Sequence, residues 1–323
     1  MIGRRQFLQF AAGGALAAGP RQASAQTYPT RPITLSVFVG AGGGPDIVAR
    51  LLGQALSQRL GQPVVIENRP GGGGNLALLS VARAPADGYT LLLTATPHAV
   101  NVTLYPKQEI SILRDIVPIA SIDNDSFAMV VNPSLPAKTV PEFIAYAKAN
   151  PGKINLASSG SGNLSHLAGE LFKMMTGTQM VHVPYRGMPA ANTAVMTGEA
   201  HVLFNALPAV VPLIKDGKLR PLAVTSDKTV KVLPGVPTIA ASVPGYAVTG
   251  WTGIGAPKGT PPEIVERLNK ETNAVLSDPK ILAQLDNLGS EPFTTSPAEF
   301  GRFIAAETEK WAQVVKYASL KVE

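Results

Sequence analysis

Residues 36–50 read SVFVGAGGGPDIVAR, and no other stretch constrains the fold as much. Ile33, Leu35, Val37 and Val39 alternate with a strand's period of two. The run breaks at Gly40, Gly42, Gly43 and Gly44. It restarts at Pro45-Asp46 with helical spacing through Ile47, Val48, Leu51, Leu52 and Ala55. Strand, glycine loop, helix is the start of a βα unit. Such a loop aims backbone N–H groups at one point, and the helix dipole adds partial positive charge there. The stretch is an anion pocket built from backbone, or a tight βα turn with no ligand. Four glycines exceed what a turn needs, which favours the pocket.

The first 25 residues read as a leader. Arg4-Arg5-Gln-Phe-Leu resembles the twin-arginine export signal, a short weakly apolar run follows, and Ala23-Ser24-Ala25 fits the small-x-small cleavage rule. The expected mature chain starts at Gln26 and is a soluble, periplasmic protein. The chain has no Cys, so disulfides, thiolate metal sites and a lipoprotein anchor are excluded. About 300 residues suffice to build a core without them. The formal net charge is +6, and Arg4, Arg5 and Arg21 would leave with the leader. The remaining Lys and Arg are scattered without interleaved aromatics, so nucleic acid is not an expected partner.

Downstream, strand and helix signals alternate, which points to α/β with mainly parallel sheet. Residues 62–67 are β-rich. Asn68-Arg69-Pro70 leads into glycines 71–74 and an apolar helix carrying Leu76, Leu79 and Val81. Residues 119–122 and 127–131 read as two strands separated by the polar Asp123-Asn124-Asp125. Thr139-Val-Pro-Glu142, Thr260-Pro-Pro-Glu263 and Ser296-Pro-Ala-Glu299 have capping-box form. A second loop, Ser158-Ser159-Gly160-Ser161-Gly162-Asn163, opens the cleanest helix in the chain, with Leu164, Leu167, Ala168, Leu171, Phe172 and Met175 on one face. Two α/β domains, each with one anion-facing loop, account for this pattern. Length alone also allows one large domain.

Enzymatic readings are weaker. Gly40-Ala-Gly42-Gly-Gly44, with Glu67 ending the next strand, approaches a dinucleotide fingerprint, but Pro45 stands where its third glycine belongs. A periplasmic dinucleotide-dependent oxidoreductase is the alternative. The serines of the second loop lack the Gly-x-Ser-x-Gly frame of a nucleophile elbow. His98, His166, His182 and His201 show no metal-ligand spacing. No catalytic residue, metal or cofactor is assigned. Asp46 is either a carboxylate settled on a helix dipole or a pocket acceptor, and in the second role it would repel an anion unless water or extra donors intervene. Asn205 is polar at the end of an apolar strand, and Trp251 reads as core or hinge.

YPTRPITLSVFVGAGGGPDIVAR, PVVIENRPGGGGN, PADGYTLLL, SSGSGNLSHLAGELF, VHVPYRGMPA, GKLRPLAVTS and GWTGIGAPKGTP together resemble the Bug-type solute receptors of tripartite tricarboxylate transporters. The resemblance covers nearly the whole mature chain. It implies a type II periplasmic-binding fold, with two α/β domains joined by two crossing strands. Residues 26–126 and 251–323 would form one domain and 127–250 the other. It also implies a monomeric, non-enzymatic receptor that captures a small carboxylate in the interdomain cleft and delivers it to membrane permease subunits. A ligand sensor would have the same fold. By position, the implied ligand-binding residues are Gly40, Ala41, Gly42 and Asp46 in the first loop and Ser158, Ser159, Gly162, Asn163 and His166 in the second. Thr94, His98 and Asn101 supply a third segment and Asn205 a fourth. Two departures matter. The first loop reads GAGGGPD where the family commonly has a form like AAGGxxD. Position 205 is Asn where many members carry an acid, which weakens the case for an amino-acid ligand.

Overall fold

The structure is a computed structural model that describes residues 28–320. The leader assigned to residues 1–25 and the expected start at Gln26 lie outside the described residues. The chain begins as the glycine pattern requires: β1 (Ile33–Val37), α1 (Gly44–Leu60), β2 (Val64–Asn68), a single 3-10 turn at Gly72–Gly74, α2 (Asn75–Ala82) and β3 (Thr90–Ala95). Then come α3 (Thr96–Leu104), the short α4 (Ile112–Asp115) and the long β4 (Ile116–Val131). A second βα series follows: α5 (Val140–Ala149), β5 (Ile154–Ser158), α6 (Leu164–Thr176), β6 (Met180–Pro184), α7 (Met188–Thr197), β7 (Val202–Ala206), α8 (Leu207–Lys215) and β8 (Arg220–Val224). The chain closes with β9 (Thr249–Pro257), α9 (Pro262–Val275), α10 (Pro279–Asn287), β10 (Ser290–Pro292) and α11 (Pro297–Tyr317).

Two lobes repeat one topology. β1 pairs in parallel with β2 and β3, and β5 pairs in parallel with β6 and β7. β3 then meets β9 antiparallel, and β7 meets β4 antiparallel. β4 and β9 pair with each other, giving the order β2-β1-β3-β9-β4-β7-β5-β6, with β8 and β10 also on β4. The first part of β4 serves the sheet of the first lobe and residues 127–131 serve the second, so β4 and β9 are the crossing strands. This is the α/β periplasmic-binding architecture expected from the sequence.

β4 differs from the two short strands expected. Asp123-Asn124-Asp125 stays inside one continuous strand because β9 and β10 pair with it on either side. The acidic side chains are received locally: Thr252 donates to Asp123, and Ser290 donates to Asp125. Burial, then the charge of Asp123, pushes the Asp125 carboxyl up to about 7.

Helix starts follow local chemistry. Ser296 and Glu299 form the full reciprocal capping box of α11. Thr139 caps α5, but Glu142 reaches back to the N–H of Lys138 instead of Thr139. Thr260 caps nothing; its hydroxyl donates to Pro257 O and α9 begins after Pro261. The core of the first lobe extends across the crossing strands to Phe143, Phe172 and Tyr246. Trp251 is core, edge-on to Phe300 and Phe303, with its indole N–H directed to Glu307. α11 packs against both α3 and α6 and so bridges the lobes.

Candidate functional site

A cavity of about 320 Å³ lies between the lobes. One wall is a single face of α3: Thr96, Pro97, Val100, Asn101 and Leu104. These positions fall on one stripe at helical spacing. Phe38 and Val39, which continue from β1, Gly71, Gly73 and Gly74 of the glycine run, and Tyr105 just after α3 add the rest of the first lobe's share. The second lobe contributes Ser161, Gly162 and Asn163 from its loop and Leu164 and Leu167 from the start of α6. Among the described residues no charged side chain lines the cavity.

The glycine run can approach closely because Gly71, Gly72, Gly73 and Gly74 all have positive φ, between 58° and 124°. Asn101 fixes it. Its amide donates to Gly73 O at 2.9 Å and to Asn75 Oδ1 at 2.8 Å. His98 lies buried beneath Gly74, edge-on to Phe38 at 5.1 Å between centroids. Its Nδ1 accepts from the N–H of Ala95 at 3.0 Å, and burial holds the ring neutral with a pKa of about 4. His98 therefore supports the lining from behind.

The second loop is knit by its own side chains. Asn163 caps α6, accepting from the N–H of His166 at 3.2 Å and from Ser165 Oγ at 2.6 Å. Its amide donates to Ser159 Oγ at 2.6 Å. The N–H of Gly162 donates to His166 Nδ1 at 3.1 Å. His166 lies 3.4 Å from Glu170 through Nε2 and stacks on His182 at 3.5 Å. Ser158 is fully buried and paired with His182 Nε2 at 2.6 Å. That pair has the separation of a nucleophile and base, but Ser158 is outside the cavity lining and closed to substrate.

The first loop behaves in the same way. The N–H of Gly42 donates to Asp46 Oδ2 at 2.8 Å, Arg50 Nε to the same oxygen at 2.9 Å, and Asn68 to Oδ1 at 2.8 Å. The hydrogen bond from Arg50, joined by those from Asn68 and Gly42, outweighs burial and holds the Asp46 carboxyl down at about 2. Asp46 is thus turned into the loop as its internal anchor.

Of the residues proposed from sequence, the structure brings Asn101, Gly162 and Asn163 onto the lining. His98, His166, Ser159 and Asp46 hold loops or lining residues in place. Gly40, Ala41 and Gly42 are exposed and lie outside the lining. Thr94 is buried opposite Gly253 in β9, its hydroxyl unpartnered. Asn205 is buried in the second lobe, donating to Asn192 at 3.0 Å. The sequence reading missed Thr96, Leu104, Phe38, Gly71, Gly73 and Gly74 as lining. The α3 stripe was a readable signal for the first two.

The chain matches the model of the tripartite tricarboxylate transporter family receptor over residues 48–320. It belongs to this family. Among curated relatives it is 36% identical to protein BugT of Bordetella pertussis over 303 residues, 93% of each chain. Among solved structures, Rpa4515 of R. palustris, determined with adipate, is 39% identical with a TM-score of 0.78. That alignment covers 91% of this chain and 99% of Rpa4515. MatC of Rhodopseudomonas palustris, determined with malate, is 30% identical with a TM-score of 0.74, covering 89% and 100%. Tripartite tricarboxylate transporter receptors are periplasmic solute-binding proteins and not enzymes, so the dinucleotide oxidoreductase alternative falls. Among the described residues no helix is long and apolar enough to cross a membrane.

Proposed function

We propose that this receptor captures a small carboxylate between its lobes and hands it to the membrane permease of a tripartite system. The observation that carries this is the cavity itself: both lobes line it, and the N-termini of α3 and α6 open onto it at Thr96 and Asn163. Each helix start leaves backbone N–H groups and partial positive charge facing the same space. The pairing of Rpa4515 with adipate and of MatC with malate supports the ligand class. In this reading residues 26–126 and 251–323 move as one body and 127–250 as the other, about β4 and β9, closing on ligand as a monomer. Residues 1–25 direct export and are removed.

Calorimetric titration with a panel of mono- and dicarboxylates, against NAD and NADP, tests the binding claim. Carboxylate binding with no dinucleotide response is expected. Micromolar dinucleotide binding with silence to every carboxylate would overturn it. Intact-mass measurement of protein recovered from the periplasm should show Gln26 as the first residue; retention of residues 1–25 would overturn the leader.

A further inference from the structure

Resting on the carboxylate reading, we infer that the preferred ligand carries one carboxylate on an apolar body, such as a medium-chain aliphatic or aromatic acid. The walls are Phe38, Val39, Val100, Leu104, Leu164 and Leu167. Of the side-chain amides that could have served a second anion, that of Asn101 is fully committed and that of Asn163 keeps one proton. Asn101 gives its amide protons to Gly73 and Asn75, and Asn163 donates to Ser159. Tyr105 and Ser161 also line the cavity, but a hydroxyl donor supplies no cationic counter-charge.

Three cations flanking the segments that line the cavity are held by acids. Arg50 is held by Asp46 and Asn68, Arg69 by Glu67, and Lys173 by Glu170. None of the three lines the cavity. One carboxylate is well served. The first-turn N–H groups of Leu164 and Ser165 precede the first capped amide of α6. Thr96 Oγ1 accepts from the buried N–H of Trp251 and so retains its own proton to donate. A second carboxylate would be desolvated against apolar walls without a counter-charge, and a charge taken from water without a partner is disfavoured. An apolar end group gains from the same walls.

The test compares acids that carry one or two carboxylates on the same apolar frame: hexanoate against adipate, and benzoate against terephthalate, titrated calorimetrically into the purified protein. Hexanoate should bind at least about tenfold tighter than adipate, a gap of about 1.4 kcal/mol, and benzoate should likewise exceed terephthalate. Adipate binding as tightly as hexanoate, or tighter, would overturn the inference while leaving carboxylate capture intact. Silence to all four acids would overturn both. Leu104→Lys should narrow the hexanoate–adipate gap by supplying a cation on the α3 face, with its melting midpoint checking the fold. An unchanged gap in a folded variant would also overturn the inference, and the wild-type ranking decides it if the variant does not fold.

Discussion

Asp46→Asn isolates the anchor of the first loop. The wild-type carboxylate is almost fully buried and accepts from Gly42, Arg50 and Asn68 at 2.8–2.9 Å. Asn keeps the shape but removes the charge, and its amide protons face Asn68 and Arg50, which also donate. The folded pKa of about 2 against an ordinary 3.8 is worth roughly 2–3 kcal/mol at full weight. Arg50 is half-exposed and the loop is open to solvent, so screening leaves about 1–2 kcal/mol. The sign is that of a depressed acid: the contribution is complete above pH 4 and disappears as pH falls through 2. Urea unfolding of wild type and variant at pH 7, 4 and 2 measures it. The variant should be less stable by about 1–2 kcal/mol at pH 7, and most of the difference should be gone at pH 2, where the folded carboxyl is half protonated. Equal stability at pH 7, or a gap that persists undiminished at pH 2, would refute the anchoring argument.

Thr96→Val should weaken carboxylate binding about tenfold or more, since a hydrogen bond to a charged group is worth about 1.5–3 kcal/mol. It should also lower the melting point, because the N–H of Trp251 loses its acceptor; wild-type affinity in calorimetry would remove Thr96 from the site. Asp125 has a raised folded pKa of about 7, so the native state holds the extra proton between pH 4 and 7 and stability falls as pH rises through that window. Asp125→Asn should therefore be more stable than wild type at pH 8, with the advantage gone below pH 4; unfolding curves across that range would contradict this if wild type is the more stable at pH 8. Gly253→Ala should cost about 1–3 kcal/mol, because its Cβ would collide with the Phe300 ring and lie 2.7 Å from Ala120 O; an unchanged melting midpoint would show that β9 yields there.

The layout of the fold was legible where chemistry is local. Glycines after a strand, Asn163 ahead of an apolar stripe and Ser296 with Glu299 each specify a helix start from a few neighbouring residues. The continuity of β4 was not, because Asp123 and Asp125 read as loop until Thr252 and Ser290, distant in sequence, supply donors. The site was half legible for the same reason. Asn101, Gly162 and Asn163 were carried by position from the resemblance, and the structure brings them onto the lining. Gly40 and Asn205 were carried by position, and whether a backbone N–H faces a ligand or its own helix depends on a side-chain rotamer that motif spacing does not encode. The α3 stripe was readable as an apolar face but resembles any core face until the opposing lobe is found across from it.

The two loops are one device with different acceptors, one charged and one not. Gly42 and Gly162 both sit at positive φ, 83° and 79°, and each gives its N–H to the side chain four residues on, in the first turn of the following helix. That bond fixes the path of the loop, and it also removes the glycine N–H from the donors available to a ligand. In the first lobe the acceptor is an ionised carboxylate, only partly offset by the half-exposed Arg50. In the second it is an imidazole nitrogen, which brings no negative charge. On the proposed reading, an incoming carboxylate would meet a negative charge in the first loop and none in the acceptor of the second. The lining has the same asymmetry: Ser161, Gly162 and Asn163 reach the cavity, whereas Gly40, Ala41 and Gly42 do not. The first lobe compensates with α3, whose N-terminus begins at Thr96 without an acid in its first turn. On the proposed carboxylate reading, anion recognition would rest on the second loop and on α3, while Gly40, Ala41 and Gly42 of the loop most conspicuous in the sequence lie outside the cavity lining.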